Sequence, residues 1–238
     1  MKQIAILGLG YFGKSILEEL LSLNVEVFII DRDKDAVDAY KDTSANSVAL
    51  DILNVENLRK ILPETVDAVI IDMGHSIEAA ILATSYCAKL KIPAIIVKAE
   101  SEHLGEILAL VGATKVVFPN KEAAKRITPL LFSSTLLTYI PVSDKLSIAE
   151  LKIPDFLIGK TLMKSEIREK HHLNLISIRD PNGEYVFCPA DYVFDDDDIG
   201  LFSGNEADLN KFAVVAPKES GYKGIIEKFM QFIRKKGA

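Results

Sequence analysis

Ala5-Ile6-Leu7-Gly8-Leu9-Gly10-Tyr11-Phe12-Gly13-Lys14 places G-x-G-x-x-G directly after an apolar, strand-like run and before a helical pattern. A tight strand-to-helix turn needs positive φ at Gly8, and a pyrophosphate reaches the backbone only if Gly10 lacks a Cβ. Gly13 then lets the helix pack close to the sheet. N–H groups at the helix start, at the positive end of its dipole, are suited to phosphates. The motif alone is weak evidence, so the next strand has to support it. Asn24-Val25-Glu26-Val27-Phe28-Ile29-Ile30-Asp31 reads as a second apolar strand ending in an acid, and Asp31 lies 21 positions after Gly10. That is close to the roughly 20-residue spacing of a carboxylate that accepts ribose hydroxyls. Arg32, next in the loop, joins the candidate site.

Around this stretch the chain alternates apolar runs with helical patterns. Strands are predicted at 3–7, 25–30, 47–50, 68–71, 94–97 and 115–118, which implies a doubly wound parallel sheet covered on both faces. Helical faces lie between them, such as Ile16, Leu17, Leu20 and Leu21, or Ile77, Ala80, Ile81 and Thr84. A helix from Glu122 to Phe132 comes next, and the pattern changes at Ser133-Ser134-Thr135. The expected organisation is a Rossmann-like α/β domain over residues 1–135, a smaller α+β domain over 136–213 and a tail over 214–238. In the second domain Asp180-Pro181-Asn182-Gly183 predicts a hairpin turn between strands 173–179 and 184–187. A helix from Thr161 to Lys170, N-capped by Thr161, a strand at 199–203 and a helix from Glu206 to Phe212 complete it. In the tail Tyr222, Ile225, Ile226, Phe229, Phe232 and Ile233 recur at helical spacing, with lysines and Arg234 mostly elsewhere. Such a basic amphipathic helix packs on its own subunit, or docks on a partner or an anionic membrane surface.

The 238 residues suffice for sizeable cores. A net charge of −6 and a pI near 5.3 argue against a broad phosphate-tracking surface, so nucleic acid is not an expected partner. Cys87 and Cys188 sit far apart in apolar surroundings, which predicts reduced, buried thiols of a cytosolic protein. Met1-Lys2-Gln3 leads straight into a strand without a signal-peptide pattern. The longest uncharged stretch, Ile127 to Ser143, contains Pro129 and Pro141 and falls short of the ~20 apolar residues of a spanning helix.

Catalysis has no sequence support. In Asp72-Met73-Gly74-His75-Ser76, the loop after the fourth strand, Met73, Gly74 and His75 stand where open α/β sheets bind ligands, although a plain loop histidine explains His75 equally well. His171 and His172 end a short helix, where imidazoles complement the dipole. No nucleophile is paired with a base. Asp195-Asp196-Asp197-Asp198 lacks the spacing and turn glycine of an EF-hand loop and reads as a solvated turn. A divalent cation bridged by nucleotide phosphates stays open, with Asn120 or Glu122 near enough to assist.

Together these segments resemble an RCK (regulator of potassium conductance) subunit of the Ktr or Trk potassium uptake systems. The residues that carry the likeness in the first domain are Gly8-Leu9-Gly10-Tyr11-Phe12-Gly13, Asp31, Asp51-Ile52, Val97-Lys98-Ala99 and Gly112-Ala113. In the second they are Ile158-Gly159-Lys160-Thr161-Leu162, Leu175 to Arg179, Cys188-Pro189 and Asp198 to Gly204. The resemblance implies a cytosolic, non-enzymatic subunit at the inner face of the cell membrane. It assembles as a homodimer, usually within an octameric ring, beneath a separate membrane-embedded potassium pore that nucleotide exchange opens or closes. Helix Glu122–Phe132 resembles the crossover helix that joins subunits. By the same resemblance Gly8, Gly10, Tyr11, Phe12 and Gly13 line the phosphates, Asp31 the ribose, Asp51 and Ile52 the adenine edge, and Lys98 the pocket floor or phosphates.

Two positions depart from the pattern. Ktr-type subunits often carry an arginine where Tyr11 stands and a glutamate near Asn120, so a terminal phosphate and a divalent cation each lose a partner here. The implied ligand is an adenine nucleotide: ATP, ADP, AMP or NAD(H). Asp31 repels a 2′-phosphate and disfavours NADP. Some members bind cyclic di-AMP at the C-domain dimer interface, and the matching stretch is Leu162, Met163 and Arg168, which ordinary packing explains as well. The rival functions are an NAD-dependent oxidoreductase, whose proton-transfer group is missing, and a stand-alone nucleotide sensor.

Overall fold

In the first strand, β1 (Lys2–Leu7), the consecutive residues Ala5, Ile6 and Leu7 are all fully buried, which requires cover on both faces. The alternation of side chains divides the strand between two cores. Ala5 and Leu7, with Phe28 and Ile30 of β2 (Val25–Asp31), belong to one cluster. Ile6, with Val27 and Ile29, belongs to another. Helix α1 (Tyr11–Leu21) covers the second cluster through Ile16, Leu17 and Leu20. The first cluster receives Ala80, Ala83, Tyr86 and Cys87 from α3 (Ile77–Lys89).

The computed structural model describes residues 1–43, 46–53, 58, 61–63, 65–179 and 183–214. They form two compact units that divide between Glu122 and Ala123. In unit one, β3 (Asn46–Ala49), β4 (Ala68–Ile71), β5 (Ala94–Lys98) and β6 (Lys115–Val117) extend the parallel sheet in the order β3-β2-β1-β4-β5-β6. This Rossmann order reverses direction between β1 and β4, where open sheets bind ligands. Helices α2 (Lys34–Asp38) and α4 (Glu102–Leu110) complete the described layers. Helix α5 (Pro119–Ile127), which crosses the division, has no buried residue, and Pro129 heads a 3₁₀ turn at Thr128–Leu131 where a single longer helix was predicted.

Unit two is an antiparallel sheet ordered β10-β9-β11-β8-β7, formed by β7 (Leu136–Ser143), β8 (Leu146–Lys152), β9 (Asn174–Arg179), β10 (Tyr185–Val186) and β11 (Ile199–Gly204). The predicted hairpin is present, with Arg179 opposite Tyr185, although its turn residues 180–182 lie outside the described residues, as does the tail. The single helix expected from Thr161 to Lys170 is instead a 3₁₀ turn at Leu162–Lys164, capped by Thr161, and a separate α6 (Ile167–His171). Ser165 breaks it: its hydroxyl donates to the Leu162 carbonyl at 2.6 Å and accepts the Ile167 N–H at 3.4 Å, and Glu166 comes next with φ +51°. Asp198, expected on a solvated turn, is buried and accepts the Tyr192 hydroxyl and the Asp195 N–H, each at 2.8 Å. Cys87 is buried as expected, with its thiol pushed up to about 12 by burial, whereas Cys188 is only half-buried.

His171 also departs from its reading as a dipole partner. Its ring packs against Phe156, tilted, and edge-on against Phe212 in the last turn of α7 (Glu206–Val214), with centroids 5.3 and 5.0 Å apart. Burial lowers its pKa, and the charges of Lys170 and His172 add to the effect, so folding favours the neutral ring. An unfolded chain therefore binds more protons than the folded one just below the ordinary histidine value. The stabilisation is present above about 6.5 and is lost as pH falls through the lower folded value. The urea midpoint of unit two is expected to drop between pH 7.5 and 5.5, and His171→Phe is expected to flatten that drop.

Candidate functional site

Gly8 leaves β1 with φ +92°, and its N–H donates to the Ile30 carbonyl at 2.8 Å, so the loop is held against the end of β2. An added Cβ would lie 2.0 Å from the Asp72 carbonyl oxygen. The positive φ predicted for Gly8 is therefore real, and a close backbone approach from β4 reinforces it. At Gly13 a Cβ would lie 2.3 Å from the Gly8 carbonyl oxygen, in keeping with close packing of α1 on the strand loop. Gly10 is the N-cap of α1 and supplies no capping side chain. A Cβ there would lie 2.3 Å from Asp72 Oδ2, so a protein carboxylate enforces this glycine before any ligand does.

Asp31 ties the first two loops together. One carboxylate oxygen accepts the Leu9 N–H, and the other accepts the Asp33 N–H at 2.8 Å. Each oxygen keeps a further lone pair for a hydroxyl. Asp33 in turn caps α2 by accepting from the N–H groups of Asp35 and Ala36. After β3, Asp51 accepts the Leu53 N–H at 3.1 Å and orients the third loop. Ile52 in that loop is 5% exposed and belongs to the core cluster, so it anchors the loop as well as facing the site.

These loops enclose a cavity of about 290 Å³ at the switch point. Of the sequence-predicted residues, Gly8 and Gly10 line it from the first loop, Asp31 and Arg32 from the second, and Asp51 and Ile52 from the third. Met73 and Gly74 close it from the end of β4. The others lie outside the lining. Tyr11 is 90% exposed, Phe12 packs against the α1 cluster, and Gly13 is buried behind the loop. Lys98 is turned inward, with Nζ 3.3 Å from Asp72 Oδ1 and 3.4 Å from Glu100 Oε1, and His75 Nδ1 lies 3.2 Å from Glu100 Oε2. Of the lining residues that the sequence reading did not assign to the site, two matter most for its charge. Lys14, in the first turn of α1, brings a cation to the pocket that Tyr11 lacks, and Asp72 lies directly beneath the glycine loop. The first was legible as the residue one step past G-x-G-x-x-G; the second has no local signal.

The lining can hydrogen-bond a ribose, and the N–H groups of Tyr11 and Phe12, which follow the lining residue Gly10 and have no intrahelical acceptor by position, can donate to phosphates. Its apolar members, including Leu50 and Ala79, suit the flat face of a base. Among the described residues no group of three or more His, Cys, Asp or Glu side chains converges to hold a metal ion.

A Rossmann-like unit with a glycine loop and a strand-end acid, joined to a small antiparallel α+β unit, defines the chain as an RCK-type protein. The TrkA-N domain family matches residues 4–119. Ktr system potassium uptake protein C of Bacillus subtilis (strain 168) is 32% identical over 211 residues, 89% of this chain and 96% of its own length. Ktr system potassium uptake protein A of the same organism is 29% identical over 212 residues, 89% and 95% of the two chains. The chain belongs to the family of Ktr system potassium uptake proteins. Among solved structures, the GsuK RCK domain superposes with a TM-score of 0.61 at 21% identity over 91% of this chain, which spans 48% of that chain. The GsuK channel bound to NAD gives 0.62 at 20% identity, covering 92% of this chain and 40% of that one. At such identities the likeness is one of fold.

Proposed function

We propose that this chain is a nucleotide-binding regulatory subunit of a potassium uptake system, which controls a separate membrane pore without chemistry of its own. The observation that carries this is the convergence of the glycine loop, Asp31 and the third loop on one cavity, in a chain of the Ktr family. Among the described residues lining that cavity there is no histidine, cysteine or tyrosine, and the carboxylates of Asp31, Asp33, Asp51 and Asp72 each accept a backbone N–H, which favours a binding site over an oxidoreductase centre. Among the described residues no helix is long and apolar enough to cross a membrane. A ligand shifts such a subunit only by as much as it binds one conformation better than the other. The exposed Ile127, Leu131 and Phe132 support a homodimer joined along α5 and its 3₁₀ extension, the unit from which a ring is built at the inner membrane face.

Thermal unfolding with ATP, ADP, AMP, NAD and NADH tests the reading. A ligand at a hundredfold excess over its Kd adds about 2.7 kcal/mol, worth several degrees in Tm. Absence of a shift with all five would remove the nucleotide function. Asp31→Asn keeps an acceptor for one of the two loop N–H groups and loses the charge, so binding is expected to weaken about tenfold, roughly 1.5 kcal/mol for a charge-assisted hydrogen bond. Co-purification with a Ktr-type pore subunit, with and without nucleotide, tests the partnership.

A further inference from the structure

Asp72, at the end of β4, is 1% exposed and carries a carboxylate directly under the phosphate loop. Its Oδ2 accepts the Gly13 N–H from the first turn of α1 at 3.0 Å, and its Oδ1 accepts the Gly74 N–H at 3.3 Å. Lys98 Nζ stands 3.3 Å from the same Oδ1. Thus the positive end of α1 already faces one anion, and Lys98, outside the cavity lining, is held by that anion and by Glu100. The remaining charges of the lining are Lys14 and Arg32 against Asp31, Asp33 and Asp51. Asp72 widens this acidic excess to four lining carboxylates against two cations.

We propose that Asp72 determines which adenine nucleotide the pocket prefers: it selects a dinucleotide, whose bridging phosphates carry a single negative charge each, over ADP and ATP. A terminal phosphate brings about −1.5 to −2 charge at pH 7 into a cavity where the excess is already acidic and the inner lysine is engaged. A dinucleotide has no terminal phosphate, and the oxidised nicotinamide ring offsets part of its charge. The same contact explains Gly10: with its Cβ position 2.3 Å from Asp72 Oδ2, the loop and the carboxylate form one built unit. This inference rests on the nucleotide reading of the pocket.

Calorimetric titration of the full chain with NAD, NADH, ADP and ATP, in magnesium-free buffer, tests both levels separately. NAD is expected to bind at least about tenfold tighter than ATP, ~1.4 kcal/mol. Asp72→Asn retains an acceptor for the Gly13 N–H, removes one lining charge and leaves Lys98 with Glu100 alone, so ATP is expected to gain about tenfold while NAD changes less. Lys98→Met leaves the Asp72 charge uncompensated and is expected to move the ratio the other way, which keeps the idea testable if the first variant folds poorly. Because the discrimination is electrostatic, added salt is expected to narrow it in the wild-type chain. Tighter binding of ATP than of NAD, or a ratio unmoved in the folded variants, overturns the role of Asp72 and leaves the site intact. Failure of all four ligands overturns the site itself.

Discussion

Replacing Gly8 with alanine is expected to lower the stability of unit one by about 4 kcal/mol and to abolish nucleotide binding. Two costs coincide at this position. The backbone has φ +92°, which L side chains rarely adopt, and the new methyl would lie 2.0 Å from the Asp72 carbonyl oxygen. That oxygen belongs to backbone, and Asp72 is itself anchored by its N–H to the Leu7 carbonyl at 2.9 Å, so nothing nearby yields cheaply. Relief requires the ends of β1 and β4 to part, which deforms the crevice in which the ligand sits. For a chain of this length the loss corresponds to a fall of roughly 10 °C in Tm. Gly74→Ala is the matched control: its φ is +56°, yet no atom lies within 4 Å of the added Cβ. It is expected to cost only about 1 kcal/mol. Equal melting of the two variants, monitored by circular dichroism, would contradict the close approach at Gly8.

How much of this was legible in the sequence depends on the range of each interaction. The parallel sheet was readable because its strands are short continuous apolar runs between glycine and polar punctuation, and the boundaries shift by a residue at most strands, as with β3 at Asn46–Ala49. The first two loops were equally readable, since Gly8, Gly10 and Asp31 act through backbone geometry and a regular strand-end spacing. Asp72 was not, because its partner Gly13 is 59 positions away and only the crossover topology brings them together. Lys98 shows the same limit: its place on β5 was expected at the pocket floor, but the unforeseen carboxylate draws its ammonium inward.

The second unit was harder for a different reason. The hairpin β7–β8 went unplaced because Pro141 interrupts an uncharged run, and proline demotes a strand reading. The structure puts β7 at the sheet edge, where a missing N–H is tolerated. The break at Ser165 was likewise hidden, because a serine hydroxyl that competes with helical hydrogen bonds looks the same in sequence as one that does not. His171 ends its helix as predicted, but whether an imidazole there meets carbonyls or aromatic rings depends on Phe156 and Phe212, 15 positions before it and 41 after it.

Phe202→Ala is expected to be the most damaging core substitution in unit two. The side chain is fully buried on the central strand β11, and its ring lies over Gly200 of the same strand, with Cε2 only 2.3 Å from where a Cβ would be. The glycine leaves a gap in the sheet face that the ring fills, and the ring also meets Phe212 at a centroid distance of 5.1 Å. Truncation removes the ring from both contacts at once and leaves a cavity bounded by backbone, which cannot collapse. Losses of this kind run to about 3–5 kcal/mol. Adding back volume from the other side does not repair it, because Gly200→Ala in the Phe202→Ala background supplies one methyl where six ring carbons stood. Hydrogen exchange resolves the prediction by unit: amides of β8, β9 and β11 should lose protection, while those of β1 and β4 keep theirs and the nucleotide-dependent shift in unit one survives. Uniform loss of protection across both units would mean that the two cores, Phe202's and that of the parallel sheet, unfold as one cooperative body.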